Sequence, residues 1–354
     1  MNEREAMARA IVLAERGWGR VHPNPMVGAV LLKDGQMIAE GWHQEFGGLH
    51  AEANAVSAAG ELAQGATCVV TLEPCTHHGK TKPCTDVLIQ AGVARVVCAV
   101  RDPNPEAAGG IGVLHAAGIQ AEHGLFAEEA ARMNAAFLCG LARPDRPWIA
   151  VKVATSSDGF LASTDRHPQF LSGLEARDWV QWLRAGFDAI GIGRVTLETD
   201  NPQLTVRGPL MPRVPPIRVV FSANGRMPVD RLLFRTEDVA PVLVATTPAG
   251  ASRAPVETVV GDDLSGMLGA LRARGVRSLL VEGGAALIQS MLAEDVVDRI
   301  YWIRARTAME TGVSAFGGFR PGESEDSGWR VVRRLALGPD TLLVTDRRLC
   351  LPDS

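Results

Sequence analysis

The sequence predicts a two-domain α/β protein, and three observations carry that reading. Strand-like and helix-like segments alternate through the first 140 or so positions, stop at the break Ala142-Arg-Pro-Asp-Arg-Pro147, and then alternate again. The length, 354 residues, suits about two domains. Hydrophobic residues are 46% and charged residues 21%, so each half has the apolar content for a real core.

In order along the chain, residues 4–16 read as a helix, and 27–32 and 37–40 as paired strands turned by Lys33-Asp34-Gly35. An Ala-rich helix follows at 50–60, a buried strand at 67–72, a helix at 84–92 and a strand at 95–100. Helices are expected at 106–117 and 127–140. Beyond the break come a strand at 149–154, a helix at 174–185, and strands at 189–192, 217–221, 242–245, 278–281 and 300–303. Two Pro- and Gly-rich stretches, 205–216 and 307–328, read as surface loops. The expected domains are 1–145 and 148–354, joined by the short break.

Composition narrows the function. The net charge is −4, aromatics are 5%, and Tyr301 is the single tyrosine, which argues against a nucleic-acid binder. Six cysteines, at 68, 75, 84, 98, 139 and 350, are too sparse for a disulfide scaffold. The first residues, MNEREAMARAIVLAERGWG, form an amphipathic helix of mixed charge rather than a signal peptide, and no apolar run reaches membrane-spanning length. A cytoplasmic location is expected, with no membrane partner.

The chemistry of the first half lies in His50-Ala51-Glu52, followed about twenty residues on by Glu73-Pro74-Cys75 and then Cys84. One His and two Cys give three zinc ligands and an open fourth position, the arrangement of a catalytic zinc. Zinc lowers the pKa of a bound water, and Glu52 is placed to shuttle its proton to a leaving amine. H-x-E followed by P-C-x-x-C is the signature of zinc nucleobase deaminases, although here eight residues separate the two cysteines. The intervening THHGKTKP is polar and basic, as a substrate-facing loop would be; its His77 and His78 are alternative ligands, with a poorer backbone context. Read alone, His22-Pro-Asn24-Pro25 and Asp102-Pro-Asn104-Pro105 are turns.

Together these motifs, with Thr71-Leu-Glu-Pro-Cys75-Thr-His-His-Gly-Lys80-Thr-Lys-Pro-Cys84, resemble the bifunctional riboflavin biosynthesis family RibD over about residues 1–350. In that family the long loop between the cysteines is normal. The resemblance implies a cytidine-deaminase-like α/β/α sandwich followed by a dihydrofolate-reductase-like α/β domain. It implies zinc on His50, Cys75 and Cys84, with Glu52 as the catalytic proton shuttle. Asn24 and His43 match positions that contact the pyrimidine, and Lys80, Asp102 and Asn104 match positions that contact the phosphoribosyl group.

The second half has no G-x-G-x-x-G after a strand, so the Rossmann fingerprint is absent. Glu282-Gly283-Gly284, between a strand and a helix, reads either as a tight turn or as an anion-binding helix start. By resemblance the domain uses NADPH. Ala154, Thr196, Asp200, Ser222 and the turn Gly284, Ala285, Ala286, Leu287 fall at cofactor positions. Lys152, Arg184, Leu204, Arg207 and Glu282 fall at substrate positions, the two arginines making sense as phosphate partners. Two segments depart from the family pattern: Arg166-His-Pro168-Gln169-Phe170 stands for Ser-Gln-Trp, and residues 304–312 stand for Ala-Pro-Lys-Leu-Leu-Gly. The expected partners are a small phosphoribosylaminopyrimidine and, in a homo-oligomer, further copies of the chain. Two other classes fit the zinc motif less well: a nucleic-acid base deaminase, disfavoured by charge, and a deaminase with a merely structural second domain.

Overall fold

The computed structural model describes residues 1–163, 171–322 and 328–347, and the chain divides at Ala142/Arg143 into two units. The first unit contains α1 (Glu3–Ala14), β1 (Gly28–Lys33), β2 (Gln36–Trp42), α2 (Ala51–Ala59), β3 (Thr67–Leu72), α3 (Cys84–Gln90), β4 (Arg95–Val100), α4 (Gly110–Ala116), β5 (Gln120–His123), α5 (Ala127–Met133) and α6 (Ala135–Ala142). The sheet order is β2-β1-β3-β4-β5, with β1 antiparallel to both neighbours and β3, β4 and β5 parallel. Val30, Leu32, Val69 and Val97 pack on one face with residues of α1 and α5. Ala29, Leu31, Val70 and Val96 pack on the other with residues of α2, α3 and α4. Because both faces are covered, β1 and β3 are continuous apolar runs rather than alternating ones. This is the α/β/α sandwich that the motifs imply.

The second unit contains β6 (Trp148–Thr155), β7 (Phe160–Ala162), α7 (Leu174–Arg184), β8 (Ala189–Gly193), α8 (Arg194–Asp200), β9 (Ile217–Phe221), β10 (Val242–Thr246), α9 (Pro248–Ala251), β11 (Thr258–Val260), α10 (Leu264–Ala273), β12 (Ser278–Val281), α11 (Ala285–Ala293), β13 (Arg299–Arg304), β14 (Val313–Ser314), β15 (Trp329–Leu337) and β16 (Asp340–Arg347). One sheet runs β11-β10-β9-β8-β12-β6-β13-β16-β15, parallel from β11 to β13 and closed by the antiparallel β15–β16 hairpin. Leu268 and Leu271 of α10 and Ile288 and Met291 of α11 cover one face, and Leu197 of α8 packs with Ile190, Ile192 and Val220 on the other.

Several expectations need correction. The expected helix 127–140 is two helices, because the buried Asn134 amide turns aside to bond both the N–H and the C=O of Met26 at 2.8 Å. The expected helix 106–117 begins only at Gly110, since the Asn104 carbonyl accepts from Ala107 and Ala108 in a turn. The polar strand β5 and the charged hairpin β15–β16 were not expected, and β14 lies inside a stretch expected to be loop.

The start of the second unit is tied down by one buried carboxylate. Asp298 accepts both Arg146 nitrogens at 2.8 and 2.9 Å, Arg143 at 2.9 Å and the Ile149 N–H at 2.8 Å. Burial opposes its ionisation, yet Arg146 and Arg143 hold its pKa below the ordinary carboxylate value. Asp298→Ala leaves Arg146 without its partner and should cost about 3 kcal/mol or more. Thermal unfolding of the second unit should then fall by roughly 6 °C or more; a fall under 2 °C would contradict this role.

Candidate active sites

The first site is assembled at one end of α2. Gly41 on β2 makes the approach possible: a Cβ there would lie 2.5 Å from both the Ala51 carbonyl oxygen and the Ala55 nitrogen. His50 is the N-cap of α2, and Glu52 in its first turn is 3% exposed. Cys75 follows β3, and Cys84 opens α3 with its N–H 3.4 Å from the Cys75 sulfur. His50 Nδ1 lies 3.5 Å from Cys75 Sγ and 3.3 Å from Cys84 Sγ. A tetrahedral zinc bound at normal lengths sets its nitrogen and sulfur ligands about 3.5 Å apart, so the donor set fits the ion. Among the described residues these three form the one cluster of this kind. His77 and His78 are exposed, and His78 pairs with Asp86 at 3.7 Å, so neither joins it.

The electrostatics suit proton transfer. Hydrogen bonds from Cys84 and His50 pull the Cys75 thiol well below its ordinary value. Burial, with the Cys75 charge beside it, pushes the Glu52 carboxyl up to about 7, where one group can both take and give a proton. His43 is lowered by burial. Its partners assign the neutral Nδ1–H tautomer: Nδ1 donates to the Leu49 carbonyl at 3.0 Å, and Nε2 accepts from the Asn24 amide at 3.2 Å. Asn24 therefore keeps its carbonyl oxygen as the acceptor for a ligand. Asp102 is buried, and its Oδ1 accepts the Asn104 N–H at 2.9 Å. Burial raises its pKa. Lys80 is exposed, with Nζ 4.2 Å from the centre of the Phe46 ring.

The second site gathers at the carboxyl ends of parallel strands, where α/β sheets bind ligands. β6 brings Lys152 and Ala154, the first turn of α8 directly after β8 brings Thr196, β9 leads to Ser222, and β12 leads to Glu282. Glu282 accepts Arg184 Nε at 2.6 Å and Nη2 at 3.0 Å, and lies 3.6 Å from Lys152 Nζ. Burial alone would raise this carboxyl, but Arg184 and Lys152 hold it at about 2. Lys152 is itself lowered, by burial and by Arg184. The Arg184 fork is thus committed to Glu282, with Nη1 on the Thr205 carbonyl at 3.3 Å. Gly284 donates to Thr196 Oγ1 at 2.9 Å, joining two of the cofactor candidates. Gly284 is the N-cap of α11 and provides no side-chain cap, so the first N–H groups of the helix are of the kind that receive a phosphate.

Ser222 pairs with Asn224 and the Arg226 carbonyl, and Asp200 accepts from Thr199. Arg207 is exposed and bonded to Gln203 at 3.1 Å. Leu204 is buried with φ +56, a left-handed conformation uncommon for leucine. It is flanked by two guanidinium anchors, Arg184 on Thr205 and the buried Arg218 on the Gln203 carbonyl at 3.1 Å.

Sequence reasoning missed Arg218 and Asp158. The latter accepts the N–H groups of Met309 at 3.2 Å and Glu310 at 2.8 Å, while Arg304 bonds the Ser157 carbonyl at 2.8 Å. These bonds are how the departing segment 304–312 is held. The other departure, with Pro168 and Phe170, lies outside the described residues.

Residues 1–100 match the cytidine and deoxycytidylate deaminase zinc-binding region, and residues 147–308 match the RibD C-terminal domain. The riboflavin biosynthesis protein RibD of Escherichia coli (strain K12) is 39% identical over 324 residues, covering 85% of this chain and 86% of that protein. That of Aquifex aeolicus (strain VF5) is 36% identical over 88% of this chain and 89% of its own. A Thermotoga maritima diaminohydroxyphosphoribosylaminopyrimidine deaminase/5-amino-6-(5-phosphoribosylamino)uracil reductase superimposes with a TM-score of 0.84 at 34% identity, covering 98% of both chains. Acinetobacter baumannii RibD, form 1, gives 0.81 at 33% identity with the same coverage. With both halves matched in order and the fold shared end to end, the chain belongs to the RibD family of riboflavin biosynthesis proteins.

Proposed function

We infer that the chain performs two successive steps of riboflavin biosynthesis. It deaminates 2,5-diamino-6-(5-phosphoribosylamino)pyrimidin-4(3H)-one to 5-amino-6-(5-phosphoribosylamino)uracil, and then reduces the ribosyl group to ribityl with NADPH. The observation that carries this reading is the buried Glu52 beside the His50–Cys75–Cys84 cluster, in a chain whose second unit is a RibD reductase.

His50, Cys75 and Cys84 would hold zinc, which when bound would supply the Lewis acidity that lowers the pKa of a water. Glu52 takes the proton of the attacking water and delivers it to the departing amine. Asn24, fixed by His43, offers a carbonyl oxygen to the pyrimidine, and Lys80, Asp102 and Asn104 hold the phosphoribosyl group. In the second unit NADPH supplies hydride. Ala154, Thr196, Asp200, Ser222 and residues 284–287 hold it, while Lys152, Glu282, Arg184, Leu204 and Arg207 line the place of the ribose and its phosphate. The Lys152–Glu282–Arg184 cluster is fixed before substrate arrives, so its charges need no rearrangement during the reaction.

The net charge of −4 and the single tyrosine support a small-molecule partner over nucleic acid. No helix among the described residues is long and apolar enough to cross a membrane. Six cysteines in 354 residues, two of them in the proposed zinc set, suit a reducing cytoplasm. Further copies of the chain, in a homo-oligomer, are the expected protein partner. Metal removal tests the division of labour: stripping zinc with a chelator should abolish ammonia release and leave NADPH-dependent reduction of the deaminated intermediate unchanged. Loss of both activities together would contradict it.

A further inference from the structure

A carboxylate outside the assigned site joins the metal loop to the loop expected to hold the phosphoribosyl group. Glu73 directly follows β3 and is 5% exposed. One of its oxygens accepts the Ile111 N–H at 2.9 Å and the other the Asp102 N–H at 3.1 Å. Ile111 lies in the first turn of α4, whose N-cap is Gly109 with φ +92 and no side chain to cap the helix. Glu73 provides that cap from another segment, at the end of the helix that favours negative charge.

The surrounding contacts leave little freedom. Glu73 N–H donates to the Val100 carbonyl at 2.8 Å, and Thr76 N–H donates to the Ala107 carbonyl at 3.1 Å. Gly110 lies so close to Pro74 that a Cβ there would sit 1.9 Å from the Pro74 oxygen. Ala107 packs with both Cys75 and Cys84. Residues 73–76 are therefore strapped along 100–111, with the ligand Cys75 inside the strap and Asp102 and Asn104 at its far edge.

We propose that Glu73 is a positioning residue for deamination, setting the Asp102–Asn104 loop at a fixed distance from the metal so that the phosphoribosyl group and the pyrimidine are held in register. The proposal rests on the reading of Asp102 and Asn104 as phosphoribosyl contacts. A glutamine at 73 cannot accept both N–H groups without turning an NH2 toward one of them, whereas an aspartate keeps the charge on a shorter arm.

The test uses the zinc-loaded full chain and the diaminopyrimidine ribotide, comparing Glu73→Gln, Glu73→Asp and Asp102→Ala with the wild type. Zinc per chain, kcat and KM for deamination are measured, with reduction of the deaminated intermediate as an internal control. Glu73→Gln should raise KM at least tenfold and change kcat less than threefold, with zinc and reduction unchanged. Glu73→Asp should raise KM less than Glu73→Gln does. A rise in KM for Asp102→Ala without one for either Glu73 variant would overturn the positioning role. Loss of zinc together with kcat at unchanged KM would overturn it too, making Glu73 a support of the metal loop only. An unchanged KM for Asp102→Ala would instead remove the reading on which the proposal rests.

Discussion

Glu52→Gln should lower deamination about a thousandfold while zinc stays bound and the reductase keeps its full rate. A positioned general acid–base contributes roughly 10² to 10⁴ to a rate. Here one group serves both transfers, from the water and to the amine, which argues for the upper part of that range. Glutamine keeps the shape and lacks the transferable proton. Its site tolerates the swap because burial already holds the carboxyl near neutrality, at about 7, so the buried charge removed is a costly one. Zinc retention, measured by elemental analysis, separates loss of the proton shuttle from loss of the metal. A variant that keeps zinc and more than a tenth of wild-type turnover would show that another group moves the proton.

Glu282→Gln should have the largest effect on the second unit. It leaves Lys152 and Arg184 close together without a counter-charge, and removing one partner of a buried ion pair costs about 3–5 kcal/mol. The unfolding temperature of this unit should fall by roughly 10 °C, and NADPH oxidation should be lost. Deamination at 25 °C should persist. The same carboxylate makes the wild type acid-sensitive. Its folded pKa, about 2, lies below the unfolded value near 4.5, so its contribution is present above about pH 4.5 and is lost as the pH falls toward 2. A difference of that size is on the order of 3 kcal/mol. The glutamine variant should lack this part of the acid dependence. Equal acid slopes for the two proteins would contradict the ion-pair account.

Much of the first site was legible because its chemistry is local in sequence. His50 and Glu52 share one helix turn, and Cys75 and Cys84 flank one loop, so residue type and spacing sufficed. The strands that build the sandwich, β1, β3 and β4, declare themselves as apolar runs between turn residues. Glu73 stands in a visible motif, but its role was hidden, because its partners are backbone N–H groups 29 and 38 residues away that leave no mark on side-chain pattern.

In the second unit the candidates come from five separate segments, and only folding brings Arg184 to Glu282, 98 residues on. The sequence suggested a phosphate for that arginine, whereas the structure pairs it with a carboxylate. Asn134 splits a helix through a bond to Met26, 108 residues earlier. The hairpin β15–β16 was missed because β15 is the edge strand of the sheet: Trp329–Leu337 carries exposed arginines on a strand that, among the described residues, pairs with β16 alone.

The central claim is that one chain joins two chemistries in sequence, and stoichiometry tests it most directly. Purified zinc-loaded protein is given a known amount of the diaminopyrimidine ribotide, first without NADPH and then with it, while ammonia and NADPH absorbance are followed. Ammonia should be released in full before NADPH is added, and one NADPH should then be consumed for each ammonia. NADPH consumption without prior ammonia release, or complete ammonia release with no NADPH consumed, would contradict the account.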